Sequence, residues 1–159
     1  MDRTDKRYFL HTLLDHLTVP TEWDTRFINL AAHISLWSKD PSTKCGAVIA
    51  DQNNRVISVG YNGLPKGIAD TKERLNNREL KYKMVCHCEM NAILFSKQDL
   101  TGCTLYTHPF MSCSRCAVMV IQSGITKVVA PYSENERWLE DFILSQSLFK
   151  EAGVELCLI

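Results

Sequence analysis

From residue 87 onward the chain alternates regularly between helical and strand-like stretches. Helical periodicity covers residues 87–97, 114–122 and 134–151. Three short runs rich in apolar and β-branched residues follow these helices in turn: TLYTH (104–108), KVVAP (127–131) and VELCLI (154–159). Strands that are joined through helices usually run parallel, with right-handed crossovers. The alternation therefore predicts three neighbouring parallel strands in this half of the chain.

The sequence of the first half of the chain predicts a hairpin, two long helices and a loop that contains a short helix. CGAVIAD (45–51) and RVISVG (55–60) flank the polar turn QNN, which is typical of two antiparallel strands. Helical spacing predicts helices over residues 2–17 and from a cap at Thr21 to Trp37, and residues 61–82 read as a long loop with a short helix near 71–81. We therefore expect one α/β domain over residues 1–159, with residues 2–17 as an extension. Its predicted architecture is three-layer α-β-α, with an antiparallel first pair and three parallel strands in a five-stranded mixed sheet.

Charge and composition exclude several classes of protein. Lys and Arg together number 18, as do Asp and Glu, and no block of like charge stands out. A main role in binding nucleic acid or a membrane surface is therefore not expected. The first residues are charged and no apolar run approaches about 18 residues, so neither a signal peptide nor a membrane span is predicted. With seven cysteines and no export signal, we expect a cytoplasmic protein with reduced thiols.

Two cysteine-rich stretches have the spacing of a metal site. His87 and Glu89 open one predicted helix, and Cys113 and Cys116 open the next as C-x-x-C. This order matches the His-x-Glu…Cys-x-x-Cys pattern of zinc-dependent nucleobase deaminases. Three ligands, His87, Cys113 and Cys116, would leave a fourth position on zinc for water, beside which Glu89 could act as general acid and base.

Other interpretations of these stretches stay open at this point. Cys113 and Cys116 could form a redox pair, which also favours a helix N-terminus. Cys86 or Cys88 could replace His87, or could close a structural four-ligand site. Glu89 could simply complement the positive end of its helix. A purely structural zinc would make the chain an interaction or regulatory module rather than an enzyme.

Beyond the metal motif, the chain resembles the deoxycytidylate (dCMP) deaminases of the zinc-dependent cytidine deaminase superfamily. The resemblance covers roughly residues 20–159 and rests on segments in the family's order, namely SKDPSTKCGAVIAD, VGYNGLPKG, VCHCEMNAI, GCTLYTHPF, CSRC and IQSGITKVVAPY. It implies hydrolytic deamination of dCMP to dUMP with release of ammonia. It further implies zinc on His87, Cys113 and Cys116, proton transfer by Glu89, and a hydrogen bond from Asn62 to the sugar. Family members are often homohexamers regulated by dCTP and dTTP, so a homo-oligomer with such effectors is expected.

The sequence departs from the family pattern at two positions. Cys88 stands where the family usually has Ala; we expect its backbone N–H to reach the base carbonyl and its side chain to point away. Ser112 precedes the first zinc cysteine where the family tends to have Pro, which leaves that backbone less restricted.

The remaining assignments concern the nucleotide itself. We expect Phe110 to wall the base, and Lys44 and Arg26 to meet the phosphate. The cations of the 61–82 loop are candidates for a triphosphate effector site. Alternative substrates are dCTP, CMP and 5-substituted deoxycytidylates.

Overall fold

The computed structural model describes residues 17–159. Apart from Leu17, the helix predicted over residues 2–17 lies outside the described residues. The helices are α1 (Glu22–Ser35), α2 (Lys72–Asn76), α3 (Arg78–Met84), α4 (Cys88–Ser96), α5 (Ser114–Gln122) and α6 (Leu139–Ala152). The strands are β1 (Gly46–Ala50), β2 (Val56–Tyr61), β3 (Thr104–His108), β4 (Lys127–Ala130) and β5 (Glu155–Leu158).

The helix boundaries follow local chemistry. Thr21 begins α1 with a capping box, in which its hydroxyl accepts from the Asp24 N–H and the Asp24 carboxylate accepts from the Thr21 N–H. The single short helix predicted near residues 71–81 is two helices, because Asn77 is extended and caps the second one through Leu80 N. The last helix begins at Leu139 rather than at residue 134.

The five strands form one sheet in the order β2-β1-β3-β4-β5. Strand β1 pairs antiparallel with both β2 and β3, and β3, β4 and β5 run parallel. This confirms the predicted mixed sheet, with its antiparallel first pair and its three parallel strands.

Helices cover both faces of the sheet. On one face α1 packs against the sheet, and the buried side chains there are Phe27, Ile28, Ala31, Ile34, Val48, Ala50, Tyr106, Val129 and Cys157. On the other face α4, α5 and α6 contribute to a larger core that includes Ala47, Ile49, Leu105, Val128, Cys88, Ala92, Ala117, Val120, Phe142 and Phe149. All five residues of β1 are buried, as expected for a strand covered on both sides.

Three loops meet at one end of strands β1, β2 and β3. Gly46 pairs with both Tyr61 and His108, so the start of β1 and the ends of β2 and β3 lie side by side. The segments that precede β1 and follow β2 and β3 therefore meet there. Within residues 17–159, none of the helices has both the length and the apolar character that crossing a membrane requires.

Strand β2 approaches helix α4 very closely. A Cβ atom on Gly60 would clash with the backbone oxygen of Cys88 and the backbone nitrogen of Ala92. Ser58 adds a hydrogen bond to the carbonyl of Ala92, at 2.7 Å. These contacts fix the N-terminal half of α4 against the sheet.

Candidate active site

Three potential metal ligands meet where two helices begin. His87 is the N-cap residue of α4, Cys113 is that of α5, and Cys116 lies in the first turn of α5. The His87 Nδ1 atom is 3.5 Å from Cys113 Sγ and 3.3 Å from Cys116 Sγ. All three ligand atoms lie within 4.8 Å of one another. Ligand atoms around a tetrahedral zinc are about 3.5 Å apart, so these residues fit a zinc ion.

The electrostatics of the cysteine pair also fit a cation. A hydrogen bond from Cys116 lowers the pKa of the Cys113 thiol to about 5, with His87 contributing further. The same hydrogen bond, together with burial, raises the pKa of Cys116. Hydrogen bonding to Cys113 raises the pKa of His87. One thiolate thus forms readily without a metal, whereas two adjacent thiolates need a positive ion between them.

Glu89 lies in the first turn of α4 and is buried, with 5% of its surface exposed. It lines a cavity of about 300 Å³ together with His87 and Cys113. Its carboxylate is not part of the cluster of ligand atoms found within residues 17–159. A buried carboxylate beside a metal site, but outside the ligand set, has the placement of a general acid and base.

Cys88 is not oriented as expected. Its thiol donates to Glu89 Oε2 at 3.3 Å, and its side chain is buried. The expectation that this side chain points away from the site is therefore wrong, because it contacts the carboxylate. Burial raises the pKa of Cys88 well above the usual range, and the neighbouring Glu89 adds to the shift. Neither Cys86 nor Cys88 joins the metal cluster found among the described residues.

Asn62 lines the cavity and is held by the segment before β1. Its Oδ1 atom accepts from the N–H of Cys45 at 2.8 Å, and its Nδ2 atom donates to the carbonyl of Thr43 at 2.9 Å. Ser38 donates to its backbone carbonyl. Asn62 therefore shapes this wall of the cavity, and its second Nδ2 proton forms no hydrogen bond among the described residues.

A buried ion pair supports the same wall. Lys81 of α3 donates to Asp40 at 2.9 Å and to Ser42 at 3.2 Å, and the side chains of Lys81 and Asp40 are 7% and 8% exposed. Asp40 also accepts from the N–H groups of Ser42 and Thr43. The pair ties α3 to the loop before β1, on which part of the cavity lining lies.

Aromatic rings and two arginines line the rest of the cavity. Phe110 packs against Phe142, with ring centroids 5.6 Å apart, and both line the cavity. The guanidinium groups of Arg78 and Arg137 lie 5.4 Å and 5.9 Å from the centre of the Tyr82 ring. Arg137 also donates to the hydroxyl of Tyr82. Neither arginine forms an ion pair with a carboxylate in the part of the chain that the structure describes.

The two residues expected to meet the phosphate do not line this cavity. Arg26 lies on α1, where it pairs with Glu22 at 2.5 Å and covers the ring of Trp23 at 4.6 Å. Helix α1 covers the opposite face of the sheet from α4 and α5, and Lys44 is exposed, so neither residue is brought to this cavity.

Sequence reasoning missed the basic lining residues. The sequence indicates for Arg78 only a place among the cations of the 61–82 loop, and Arg137 lies in no recognisable motif. The one available signal is the pair Arg137–Trp138 just before a helix, since arginine stacks on aromatic faces and is well suited to phosphate recognition.

Comparison with known proteins indicates a zinc-binding region that includes this cluster of ligands. Residues 21–131 match the family model described as the cytidine and deoxycytidylate deaminase zinc-binding region. An uncharacterized deaminase from the luxG 3′ region of Aliivibrio fischeri is 45% identical over 139 residues, covering 86% of this chain and 92% of the relative. The deoxycytidylate deaminase of Mus musculus is 37% identical over 139 residues, covering 84% and 77%.

A solved structure shows the same fold. The dCMP deaminase of cyanophage S-TIM5 in its apo form superposes with a TM-score of 0.70 at 22% identity, covering 89% of this chain and all of that one. The same phage enzyme has also been solved in complex with dCMP and dUMP, with a TM-score of 0.69.

Proposed function

Since this chain belongs to the zinc-binding cytidine and deoxycytidylate deaminase family, we propose that its reaction is the hydrolytic deamination of dCMP to dUMP and ammonia. The observation that carries the proposal is one cavity that contains His87 and Cys113 of the metal cluster, the buried carboxylate of Glu89 and two arginines, neither of which forms an ion pair with a carboxylate within residues 17–159. The cluster and the carboxylate suit deamination, and the arginines suit a phosphorylated substrate.

The chemistry divides between a metal and the protein. His87, Cys113 and Cys116 would hold zinc, which when bound makes a water molecule nucleophilic at neutral pH. Glu89 takes a proton from that water and delivers it to N3 of the cytosine ring. The water oxygen bonds to C4, and Glu89 then carries the second proton of that oxygen to the amino group, so that the C4–N bond breaks, a C4 carbonyl forms and ammonia leaves. Water and dCMP are thus consumed, and dUMP and ammonia are formed.

Other residues hold the nucleotide. We expect the backbone N–H of Cys88, which lies at the start of α4 and has no partner within that helix, to donate to the base carbonyl. Phe110 provides an apolar wall for the base, and the second Nδ2 proton of Asn62 suits a sugar hydroxyl. Arg78 and Arg137 offer planar groups of donors, which match phosphate oxygens. Their positive charges complement the two negative charges of a phosphate monoester.

The identity of the nucleotide needs a substrate panel. Purified protein with measured zinc content is assayed for ammonia release from dCMP, CMP, dCTP, a 5-substituted deoxycytidylate and deoxycytidine. We expect the highest kcat/KM for dCMP. A higher kcat/KM for another compound of the panel would make that compound the proposed substrate instead of dCMP.

Glu89→Gln tests the mechanism itself. The change keeps the size of the side chain but removes its titratable group, so turnover should fall by about 10²–10⁴-fold with zinc content unchanged. Glu22→Gln is the matched control, because Glu22 is also an acidic residue in the first turn of a helix. Full zinc and near-normal rates for Glu89→Gln on every nucleotide would favour a structural-zinc module instead.

The assembly state is a further part of the proposal. We expect a homo-oligomer, as the family resemblance implies. Sedimentation equilibrium of the zinc-loaded protein measures its mass directly, and a monomer across the accessible concentration range would contradict this part.

A further inference from the structure

We propose that Asp141 is a positioning residue for the metal site, because its carboxylate anchors the turn that carries Cys113 and Cys116. Oδ2 of Asp141 accepts from the backbone N–H of Ser114 at 2.8 Å, and Oδ1 accepts from the Ser114 hydroxyl at 2.7 Å. Ser114 directly follows Cys113 in the chain. The carboxylate therefore holds the residue between one metal ligand and the rest of the helix.

Helix α5 needs such an anchor. Cys113 is its N-cap residue and forms no side-chain capping hydrogen bond. The first N–H groups of a helix lack partners within the helix, and a metal-binding cysteine cannot cap them as Ser or Asp would. Asp141 supplies the missing acceptor from another helix, so the first turn of α5 is held in place without involving the cysteine.

The segment before Cys113 makes the anchor more important in this chain. Ser112 stands where the resembling family tends to have proline, whose ring would restrict the backbone. Ser112 is fully buried, and its hydroxyl has no hydrogen-bond partner within residues 17–159. Its side chain therefore does not hold the loop by hydrogen bonding. The two bonds from Asp141 restrain the turn on the other side of Cys113.

Asp141 also links the metal turn to another wall of the cavity. It lies in the first turn of α6, and its neighbours Trp138 and Phe142 line the cavity together with Arg137. Displacing the anchor should therefore disturb the metal site and this wall together.

Asp141 stabilises the metal site through the geometry of its carboxylate rather than through its charge. A negative charge near Cys113 disfavours the thiolate that binds metal. The benefit must then come from the two hydrogen bonds. Asparagine can still accept from the Ser114 N–H through its oxygen, and its amide can donate to the hydroxyl oxygen. Asp141→Asn should therefore preserve the site, whereas Asp141→Ala should not.

Asp99 offers a matched control within the same chain. Its Oδ1 atom accepts from the N–H of Thr101 at 2.9 Å and from the Thr101 hydroxyl at 2.7 Å. The contact has the same chemistry as that of Asp141 with Ser114, but Asp99 does not line the cavity. Asp99→Ala removes an equivalent pair of bonds and should leave metal binding at the wild-type level.

The experiment measures zinc release to a chromogenic chelator and the absorption spectrum of the cobalt(II)-substituted protein, which reports the geometry of the thiolate ligands. We expect Asp141→Ala to bind zinc about 10–100-fold more weakly, with an altered cobalt spectrum. Asp141→Asn and Asp99→Ala should match the wild type. Ser114→Ala removes only the hydroxyl bond and should weaken zinc binding by about fivefold.

A lower melting temperature in Asp141→Ala, with wild-type zinc binding and cobalt spectrum, would overturn the proposal and leave a purely structural role. If Asp141→Ala does not fold, the variants Ser114→Ala and Asp141→Asn provide the test. Unchanged zinc binding in Ser114→Ala would overturn the proposal. A loss of zinc binding in Asp141→Asn as large as that in His87→Ala would also overturn it. The inference rests on the metal site of the proposed function but not on its substrate. Because these measurements use no nucleotide, its failure is distinguishable from failure of the dCMP assignment.

Discussion

The thiol of Cys88 lies 3.3 Å from Oε2 of Glu89, and both side chains are buried at the start of α4. An S–H group is a weak donor, yet here it reaches a carboxylate that is shielded from solvent. Consecutive residues at a helix N-terminus usually point in different directions. The contact therefore restrains the orientation of the carboxylate that we propose as the acid and base.

Replacing Cys88 should affect turnover but not metal binding. Cys88→Ala removes one hydrogen bond of about 1 kcal/mol, so kcat should fall by about fivefold with zinc content unchanged. Cys88→Ser keeps a donor and should recover most of the rate. Steady-state kinetics with metal analysis of each variant provides the measurement. Loss of zinc in Cys88→Ala, with zinc retained in His87→Ala, would show that the ligand assignment is wrong.

Much of the fold and the metal cluster could be predicted because the signals are local. Helical spacing and short β-branched runs depend on neighbouring residues, and His87 and Cys113 both lie directly before a helix. The basic lining could not be predicted in this way. Arg78 and Arg137 come together only through the packing of α3 against the segment before α6. The absence of Arg26 from the cavity lining likewise depends on which face of the sheet α1 covers. The direction of the Cys88 side chain likewise depends on the cavity around it.

The buried carboxylate of Asp24 should make stability depend on pH. Burial raises the pKa of Asp24, but hydrogen bonds from Thr21, Lys127 and Tyr106 outweigh it, so the net pKa is lowered. The ionised group therefore stabilises the fold above its unfolded pKa of about 3.9, and this contribution is lost as the pH falls through the lower folded pKa.

Urea unfolding from pH 6 to pH 3 measures this contribution, with zinc-free protein throughout so that metal loss does not intervene. Asp24→Asn should be less stable at pH 6 and should lose less stability than the wild type as the pH falls. Parallel curves for the two proteins would show that Asp24 does not carry the dependence.

Effector binding by the 61–82 segment stays a prediction, and the structure reduces the number of cations in this segment that are free to bind an effector. Lys81 is buried against Asp40, Arg74 donates to the carbonyl of Ala69, and Arg78 lines the cavity. Lys66 and Lys72 remain as exposed candidates. Titration of dCTP and dTTP into a dCMP assay should change turnover in opposite directions. The double variant Lys66→Ala/Lys72→Ala should weaken both responses, and flat responses in the wild type would remove the regulatory proposal.

The two arginines of the cavity should decide between nucleotide and nucleoside. Arg78 and Arg137 lie near the same tyrosine ring without a carboxylate partner in the described residues. Each is expected to donate charge-assisted hydrogen bonds to the phosphate, and each such bond contributes about 1.5–3 kcal/mol. Arg78→Ala and Arg137→Ala should therefore each raise KM for dCMP by about 10–100-fold. The kcat value should change little, because the phosphate is remote from the reacting carbon.

Deoxycytidine separates phosphate recognition from general damage to the cavity. It lacks the phosphate, so its low kcat/KM should be the same in the wild type and in both arginine variants. Arg55→Ala is the matched control, since Arg55 pairs with Asp51 on the β1–β2 turn and should leave both substrates unaffected. Arg26→Ala tests the assignment made from sequence and should also behave as the wild type. Equal losses on dCMP and deoxycytidine would mean that the arginines support the cavity rather than the phosphate. An unchanged KM for dCMP would place the phosphate against other residues, such as Lys81 and Ser42, which also line the cavity.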